Sequence, residues 1–417
     1  MEFVNAFLDA IRFDLYDRVL DIIWIAAPAW VPIVLLIIWG RLWMNYVQSL
    51  SIFERGSVLL EIKLPREITK SPAAMEVFFS QIYQTGSNTE IDTFWGGKIR
   101  PWFSLEMISE EGKVRFFIWM SEPRWKNFVE AQLYAQYPTI EIYEVLDYTT
   151  LIHHNLDKWF MWITYFKLTG EDPLPIKTYV DYGLDKDPKE EYKIDPISAA
   201  VEYLGSLGKG EYSWIQILIQ AHKKEKLKDG RLIPKEDWKL DAKKMIEKIR
   251  ADSTPKFTDD SGKERSGFPN PTPGQIDTIK ALERSISKFP FEVAIRAGYL
   301  AKNENMTPIR INGLIASFKQ YNSQDLNGFR LGAFTDFDYP WQDFKRIRRT
   351  ALEKRFLEAY KRRSFFNPPF KNYLCTRFIL NSEELATIFH LPGGVVQTPT
   401  LERIGSRKAE APPNLPR

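Results

Sequence analysis

Residues Ile22 to Trp39 read IIWIAAPAWVPIVLLIIW, an unbroken run of 18 residues without a charged side chain. At about 1.5 Å per residue, a helix of this length spans roughly 27 Å, close to the thickness of the hydrocarbon layer of a bilayer. A helix satisfies its own backbone hydrogen bonds and so can cross lipid without unpaired polar groups. Trp39, Trp43 and Tyr46 lie where interfacial anchors belong. The sequence therefore predicts one transmembrane helix over 21–46.

A signal peptide and a buried core helix are the two alternatives for this run. A signal peptide needs a basic leader and a small-residue cleavage site, whereas residues 1–21 hold five acidic residues and only two arginines. A core helix rarely carries three tryptophans and no polar side chain. We therefore favour the membrane span. Residues 1–20 place apolar side chains at helical spacing between charges, which predicts an amphipathic segment before it.

The charges around the span predict its orientation. Arg41, Arg55 and Lys63 follow an acidic leader, and the positive-inside rule then places the bulk of the chain in the cytoplasm. A single cysteine, Cys375, excludes an internal disulfide and suits a reducing compartment. The mean hydropathy of the whole chain is −0.31, so the part after the span is expected to be water-soluble. We predict a single-pass protein of the cell (inner or cytoplasmic) membrane.

The hydrophobic pattern over residues 56–150 alternates between strands and helices. The predicted order is a strand at Val58–Leu64, a helix from Ser71, strands at Trp102–Ile108 and Val114–Met120, a helix at Arg124–Tyr137, and a strand at Ile140–Val145. This β-α-β-β-α-β order is the split βαβ of ferredoxin-like domains. Residues 56–150 are therefore predicted to form a first ferredoxin-like domain.

A second, looser α+β pattern covers residues 156–303, with an insertion at 222–272. Its predicted elements are strands at Lys158–Leu168, Ile176–Tyr182, Tyr212–Gln220 and Phe291–Tyr299, with helices at 195–207 and 275–287. A helical and strand-containing region follows at 304–393, and a Pro-rich tail, expected to be disordered, at 394–417. The predicted fold class is thus α+β: one N-terminal transmembrane helix followed by two ferredoxin-like (split βαβ) units.

The helix predicted over Gln342–Arg363 carries nine basic and three acidic residues in a chain whose net charge is +3. Such a density of positive charge attracts nucleic-acid phosphate or anionic lipid head groups. The candidate contacts are Lys345, Arg346, Arg348, Arg349, Lys354, Arg355, Arg362 and Arg363. The alternative is a solvated outer face of a helix whose Phe344, Ile347, Leu352 and Phe356 pack inward.

The sequence proposes no catalytic, metal or cofactor site. A phosphate-binding GxxxxGK[ST] loop, a G-x-S-x-G elbow and a dinucleotide fingerprint are all missing. The tandem His153 and His154 would point their rings apart on any regular element, which makes a poor metal site. Cys375 lies in an apolar run and is predicted to be a core residue. We therefore expect no cofactor, no metal and no enzyme activity.

Several segments resemble a known family when they are taken in order. They are LLEIKLPRE (59–67), SPAAMEVFFSQIY (71–83), VEAQLYAQYPTIEI (129–142), PIKTYVDY (175–182), DPISAAVEYL (195–204), GEYSWIQILI (210–219), NSEELATIFHLPG (381–393) and APPNLPR (411–417). This order is similar to the membrane-proximal, non-catalytic region of type IV secretion coupling-protein-like ATPases of bacteria such as the candidate phyla. In that family a RecA-like motor follows, whereas this sequence ends at Arg417.

The resemblance implies a membrane-anchored, non-catalytic component of a type IV secretion or conjugation-like translocation machine, an adaptor or anchor for a motor ATPase encoded separately. Nucleic acid is a candidate substrate of the basic helix, and an oligomer is open because translocation motors often form rings. Two other functions remain: a lipid-binding scaffold, and a membrane-bound enzyme with an unrecognised site. A cleft gathering Glu61, Glu106 or Glu141 with His or Arg would favour the enzyme.

Overall fold

The computed structural model describes residues 2–65, 70–86, 89–152, 158–185, 194–223, 238–258, 264–337, 339–393 and 403–404. The chain forms two compact units. The first consists of residues up to 54 together with 88–99, and the second consists of residues 55–87 and 100 onward.

The described residues contain both helices and strands. The helices are α1 (Glu2–Arg55), α2 (Ala73–Ile82), α3 (Glu90–Gly96), α4 (Lys126–Gln136), α5 (Ser198–Gly205), α6 (Trp238–Asp252), α7 (Pro273–Ile286), α8 (Ile309–Ala316), α9 (Ile347–Lys361) and α10 (Ser382–Ile388). The strands are β1 (Val58–Pro65), β2 (Trp102–Glu110), β3 (Lys113–Met120), β4 (Glu141–Glu144), β5 (Trp159–Leu168), β6 (Glu211–Ala221), β7 (Lys256–Thr258), β8 (Glu264–Ser266), β9 (Pro290–Lys302), β10 (Phe329–Phe334), β11 (Phe378–Asn381) and β12 (Arg403–Ile404).

The first unit is built on α1, one continuous helix of 54 residues, which at 1.5 Å per residue is about 81 Å long. Its part from Arg18 to Arg55 is long and apolar enough to cross a membrane, and its apolar 18-residue window has a mean hydropathy of 2.4 with no residue buried. The predicted N-terminal segment 1–20 belongs to the same helix, although the side chains of 2–17 lie outside the described residues.

The second unit is built on a 10-stranded sheet with the order β10-β5-β9-β6-β2-β3-β1-β12, in which β4 also pairs with β1 and β11 with β9. All its pairs are antiparallel except that of β1 with β12. β2 and β6 pair from Trp102–Gln220 to Glu110–Tyr212. The strands predicted for residues 56–150 are all present, and they share one continuous sheet with β5, β6 and β9 of residues 156–303.

The two faces of this sheet are covered differently because successive strand residues point to opposite sides. Ile215, Ile217 and Ile219 of β6 lie in the main hydrophobic core, together with buried residues of α2, α4, α5 and α10. On the other face of the same strand, Trp214 stacks on Tyr360 of α9 with ring centroids 5.1 Å apart. Helix α9 therefore covers the second face, where the sheet carries polar side chains.

The strand predicted at Ile176–Tyr182 is wrong, since residues 176–178 have no regular secondary structure and residues 179–182 form turns. Side chains satisfy its backbone instead: the N–H of Ile176 donates to Glu384 (2.9 Å) and that of Tyr179 to the hydroxyl of Thr387 (3.0 Å). Because these partners lie about 200 positions further along the chain, local pattern could not reveal them. The segment is tied to α10 rather than to a strand.

The structure describes only part of the predicted insertion (222–272) and of the predicted tail (394–417). Within the insertion, β7 and β8 pair as a short hairpin, and residues 224–237 lie outside the described part of the chain. From the predicted Pro-rich tail the structure describes Arg403–Ile404, whose backbone pairs with Leu64 and Pro65 at the end of β1. The rest of 394–417 lies outside the described residues.

Candidate functional site

Large apolar and cationic side chains lie exposed together where the chain enters α9. The exposed fractions are 77% for Trp341, 76% for Phe344, 66% for Ile347 and 51% for Tyr339. We define the aromatic–cationic surface as Tyr339, Trp341, Phe344, Lys345, Arg346, Ile347 and Arg348, all of which are exposed. The inward packing of Phe344 and Ile347 expected for a simple solvated helix face is therefore wrong, while Phe356 is buried.

The backbone of this surface is irregular because the helix begins five residues later than the sequence predicts. Lys345 and Arg346 adopt left-handed φ values of 56° and 57°. For a residue with a side chain this conformation costs roughly 1–2 kcal/mol, and such strain persists where the surroundings enforce it. The enforcing group is Asp343, whose carboxylate accepts the N–H groups of Arg348 (2.8 Å) and Arg349 (2.9 Å). Asp343 thus occupies the positive end of α9 and turns the preceding residues outward.

Each exposed ring has a stacking partner or a cation beside it. Tyr339 and Trp341 stack with ring centroids 4.6 Å apart and planes 11° from parallel. The Lys345 ammonium lies 5.6 Å from the ring centre of Phe344, and the Arg348 guanidinium lies 5.2 Å from that of Phe337. Flat rings alternating with cations offer stacking and charge attraction to the same ligand.

A pocket of about 200 Å³ adjoins this surface. Its lining residues are Trp159, Phe160, Met161, Asn303, Arg346, Arg349, Thr350 and Glu353. Arg349 is held there by Glu353 (2.9 Å) and Asp336 (3.0 Å) and lies 5.4 Å from the ring centre of Phe160. The pocket therefore combines aromatic walls with a fixed arginine, and it shares Arg346 with the aromatic–cationic surface.

The structure separates the eight predicted basic contacts into three groups. Lys345, Arg346, Arg348, Lys354 and Arg355 are exposed. Arg349 and Arg362 are each committed to ion pairs, the latter with Glu358 at 2.7 Å. Arg363 is completely buried and cannot touch a macromolecule. It is therefore removed from the candidate contacts, because its guanidinium pairs with the buried Glu106 and the partly buried Asp147.

Arg363 belongs to a buried network on the second face of the sheet. Its guanidinium donates to both oxygens of Glu106 (2.9 and 3.1 Å) and also pairs with Asp147. Glu106 further accepts from Ser104 (2.7 Å), Tyr148 (2.9 Å) and Gln216 (2.9 Å). Burial acts against the charge of Asp147, but the adjacent Arg363 lowers the pKa of that carboxyl.

Arg296 is the second guanidinium of this network and is also fully buried. It donates to the carbonyl of Ser364 (2.9 Å) and lies 5.5 Å from the ring centre of Tyr165, and burial lowers its pKa. Its Nε and Nη1 have no acceptor among the described residues. With two carboxylates and two guanidinium groups, the formal charges balance. Sequence reasoning missed this network because its members, such as Glu106 and Arg363, lie far apart in the chain.

The carboxylates that would have favoured an enzyme do not converge in a cleft. Glu106 is sealed in the buried network. Glu61 lies on the same face but on β1, separated from Glu106 by Phe117 of β3, and its carboxylate is 3.8 Å from Arg115. Glu141 is bonded to the hydroxyl of Tyr143 at the exposed strand β4. Glu61, Glu106 and Glu141 therefore do not form the cleft with His or Arg that the enzyme alternative predicts.

The described histidines, His222 and His390, each lie within hydrogen-bond distance of a carboxylate. His390 contacts Asp195 (2.8 Å) and the carbonyl of Ala386 (2.8 Å), and His222 contacts Glu292 (3.2 Å). No cluster of three His, Cys, Asp or Glu side chains that could hold a metal occurs among the described residues, and His153 and His154 lie outside them. Cys375 is buried, as predicted for a core residue, and burial raises the pKa of its thiol.

Comparison with known proteins places the chain in a family. Residues 51–403 match the family model described as a domain of unknown function (DUF8128). A comparison with curated proteins finds no match to this chain. The matched range covers most of the chain, including the 10-stranded sheet up to Arg403 of β12 and the aromatic–cationic surface. The chain therefore belongs to the DUF8128 family.

Proposed function

We propose that this member of the DUF8128 family is a membrane-anchored, non-catalytic component of a type IV secretion-like translocation machine. It lies in the cell membrane through α1, with the bulk of the chain in the cytoplasm, and acts as an adaptor that holds a motor ATPase. Its aromatic–cationic surface binds the nucleic acid in transit. The observation that carries the proposal is this exposed surface on a chain whose N-terminal helix is long and apolar enough to cross a membrane.

Nucleic acid is the ligand class that this surface fits best. Single strands present phosphates to cations and flat bases to aromatic rings, and one stacked base contributes about 1–3 kcal/mol. The stacked Tyr339 and Trp341 provide the platform, while Lys345, Arg346 and Arg348 provide the charges. An extended single strand can contact both groups at once, since they are close neighbours in the chain.

We also propose that the sheet consists of two ferredoxin-like units joined edge to edge. In the first half the strands are ordered β4-β1-β3-β2, and in the second half β10-β5-β9-β6. Numbered within each half, both orders are 4-1-3-2. The first half has its helices in the split βαβ positions, and in the second α5 and α8 take those positions. The β2–β6 pairing is then the junction between the units.

The adaptor role is tested by isolating the tagged full chain from membranes in mild detergent and identifying its partners by mass spectrometry. We expect a RecA-like ATPase to be recovered with the chain. A high-salt wash of the membranes before solubilisation should remove the ATPase and leave the chain in the membrane fraction. Recovery of the chain without any motor protein in repeated isolations would count against the adaptor role.

The nucleic-acid role is tested with the full chain in nanodiscs and a fluorescein-labelled single-stranded oligonucleotide, followed by anisotropy. Trp341→Ala is expected to weaken binding about tenfold or more, as for loss of one stacked base. Phe268→Ala is the matched control because Phe268 is 93% exposed in the linker before α7. Equal losses of oligonucleotide affinity in Trp341→Ala and Phe268→Ala would contradict this role. If added anionic liposomes that carry no DNA displace the oligonucleotide completely, the surface binds lipid, as the lipid-scaffold alternative predicts.

A further inference from the structure

Helix α3 packs against α1 through an aromatic cluster within the first unit. The indole N–H of Trp43 donates to the carbonyl of Phe94 at 2.9 Å. The ring of Trp43 lies 5.8 Å from that of Trp95, and the ring of Trp39 lies 6.3 Å from that of Phe94. Trp39 and Trp43 themselves stack at 6.0 Å. Helix α3 is thus fixed beside the end of the apolar run Ile22–Trp39.

The sequence builds α3 with a defined start and end. Thr89 and Asp92 form a reciprocal capping box, and Lys98 pairs with Asp92 at 3.1 Å. The helix ends at Gly97, which has a φ of 56°. A Cβ at this position would lie only 2.4 Å from the carbonyl oxygen of Val47 on α1. Only glycine therefore allows α3 to end this close to α1.

Packing leaves the outer side of α3 apolar and open. Ile91 is 72% exposed and Trp95 is 62% exposed. Trp43, which touches Trp95, follows the last residue of the apolar run by four residues, or about 6 Å along the helix axis. That distance corresponds to the head-group region beside the hydrocarbon layer, where tryptophan is enriched in membrane proteins. The polar pair Asp92 and Lys98 lies on the same short segment.

We propose that residues 89–97 form a second membrane-contacting element, which inserts Ile91 and Trp95 into the head-group region of the bilayer next to the end of the span. The partner is the phospholipid interface itself, because the exposed side chains continue the aromatic cluster of the span. The inference rests on the proposed membrane anchorage by α1. Its function is to fix the depth and rotation of α1, since a single helix alone can slide and tilt.

The test uses the full chain in phosphatidylcholine–phosphatidylglycerol vesicles with a spin label at one introduced cysteine. The native Cys375 is buried, so it does not compete for the label. The variants are Ile91→Cys and Trp95→Cys, with Val34→Cys inside the span and Phe268→Cys on the sheet unit as references. Collision rates with dissolved oxygen, which partitions into lipid, and with a water-soluble nickel chelate report the depth of each label.

Labels at positions 91 and 95 are expected to favour oxygen over nickel, between the values at 34 and 268. If the label at 34 lies in lipid while the labels at 91 and 95 have the same collision rates as the label at 268, the inference about residues 89–97 is overturned, but the proposed membrane anchorage by α1 stands. A water-exposed label at 34 overturns both. Adding Gly97→Ala to Trp95→Cys is expected to make the label at position 95 more accessible to the nickel chelate. The same change added to Val34→Cys should leave the label at position 34 unaffected. An unchanged accessibility at position 95 would contradict the role of Gly97.

Discussion

Arg362 and Arg363 are neighbours of the same type in opposite environments. Arg362 forms an exposed pair with Glu358, and Arg363 is buried between Glu106 and Asp147. An exposed pair contributes at most about 1 kcal/mol because water screens it. A buried carboxylate that loses its partner is far more costly, since burial disfavours the free charge. The two residues therefore provide a matched comparison.

We expect Arg363→Ala to destabilise the protein by about 3–5 kcal/mol, because the buried carboxylate of Glu106 loses the guanidinium that is bonded to both of its oxygens. Arg362→Ala should change stability by less than about 1 kcal/mol. Thermal unfolding of the full chain in detergent, followed by circular dichroism, measures both. Equal melting temperatures for the two variants would show that the buried network contributes little.

Glu292 carries a pH dependence whose sign follows from its contacts. It lies near Arg377 (2.7 Å), His222 (3.2 Å) and Arg100 (3.6 Å). Burial acts against its charge, but these partners lower the pKa of Glu292 from 4.5 to about 2. An acid with a lowered folded-state pKa stabilises the fold above its unfolded pKa and loses that contribution as the pH falls.

The contribution of Glu292 should be complete above about pH 5 and lost progressively between about pH 4.5 and 2, with a size on the order of 3 kcal/mol. Glu292→Gln should therefore lower stability at pH 7 and flatten the stability profile in that acidic window. Melting temperatures of the full chain across pH 2–8 provide the measurement. An unchanged acidic slope in the variant would contradict the assignment.

At the scale of elements, the start of α9 depends on one carboxylate. We expect Asp343→Ala to cost about 1 kcal/mol, because two N–H groups of the first turn lose their acceptor. Hydrogen exchange should become faster at the amides of Arg348 and Arg349. Glu358→Ala is the control, since Glu358 is exposed on the same helix and caps nothing. Unchanged protection at both amides would rule out the capping role.

The sequence could predict the elements whose hydrophobic pattern is local. Strands β1, β2 and β3 and helices α2 and α4 were predicted within a few residues of their observed bounds. The start of α9 was predicted too early. The side chains of residues 342–346 continue the helical pattern, but Asp343 caps the first turn of the helix and the backbone before Ile347 is not α-helical. Helix α3 was missed, although the Thr89–Asp92 capping box and the Gly96–Gly97 pair mark its two ends.

The sequence predicted which basic residues could belong to the candidate site, but not which of them are exposed. Lys345, Arg346 and Arg348 were identified from the sequence and are exposed. The burial of Arg363 could not be predicted, because its partner Glu106 lies 257 positions away on β2. Tyr339 and Trp341 were not identified either, because an aromatic side chain before a helix is equally typical of a core contact.

At the scale of the whole sheet, the β2–β6 pairing makes the two halves depend on each other. In a fragment of residues 56–150, β2 would lose its partner β6 and become a free sheet edge that includes Trp102 and Phe103, both buried in the full chain. We therefore expect this fragment to aggregate or remain unfolded, unlike 56–393. Size-exclusion chromatography and circular dichroism of the fragments 56–150 and 56–393 measure their oligomeric state and their folding. A monomeric, folded 56–150 fragment would show that the junction is dispensable.

The placement of β1 has a mechanical consequence. Only Gly56 and Ser57 separate α1 from β1, so tension transmitted along the N-terminal helix enters the sheet at this strand. β1 is not at a free edge there, because β3 holds it on one side and β4 on the other. Antiparallel hydrogen bonds run perpendicular to the strands, and a pull along β1 loads all of them in shear at once rather than one after another. A pull along α1 would therefore be resisted by the β1 hydrogen bonds to β3 and β4 acting together.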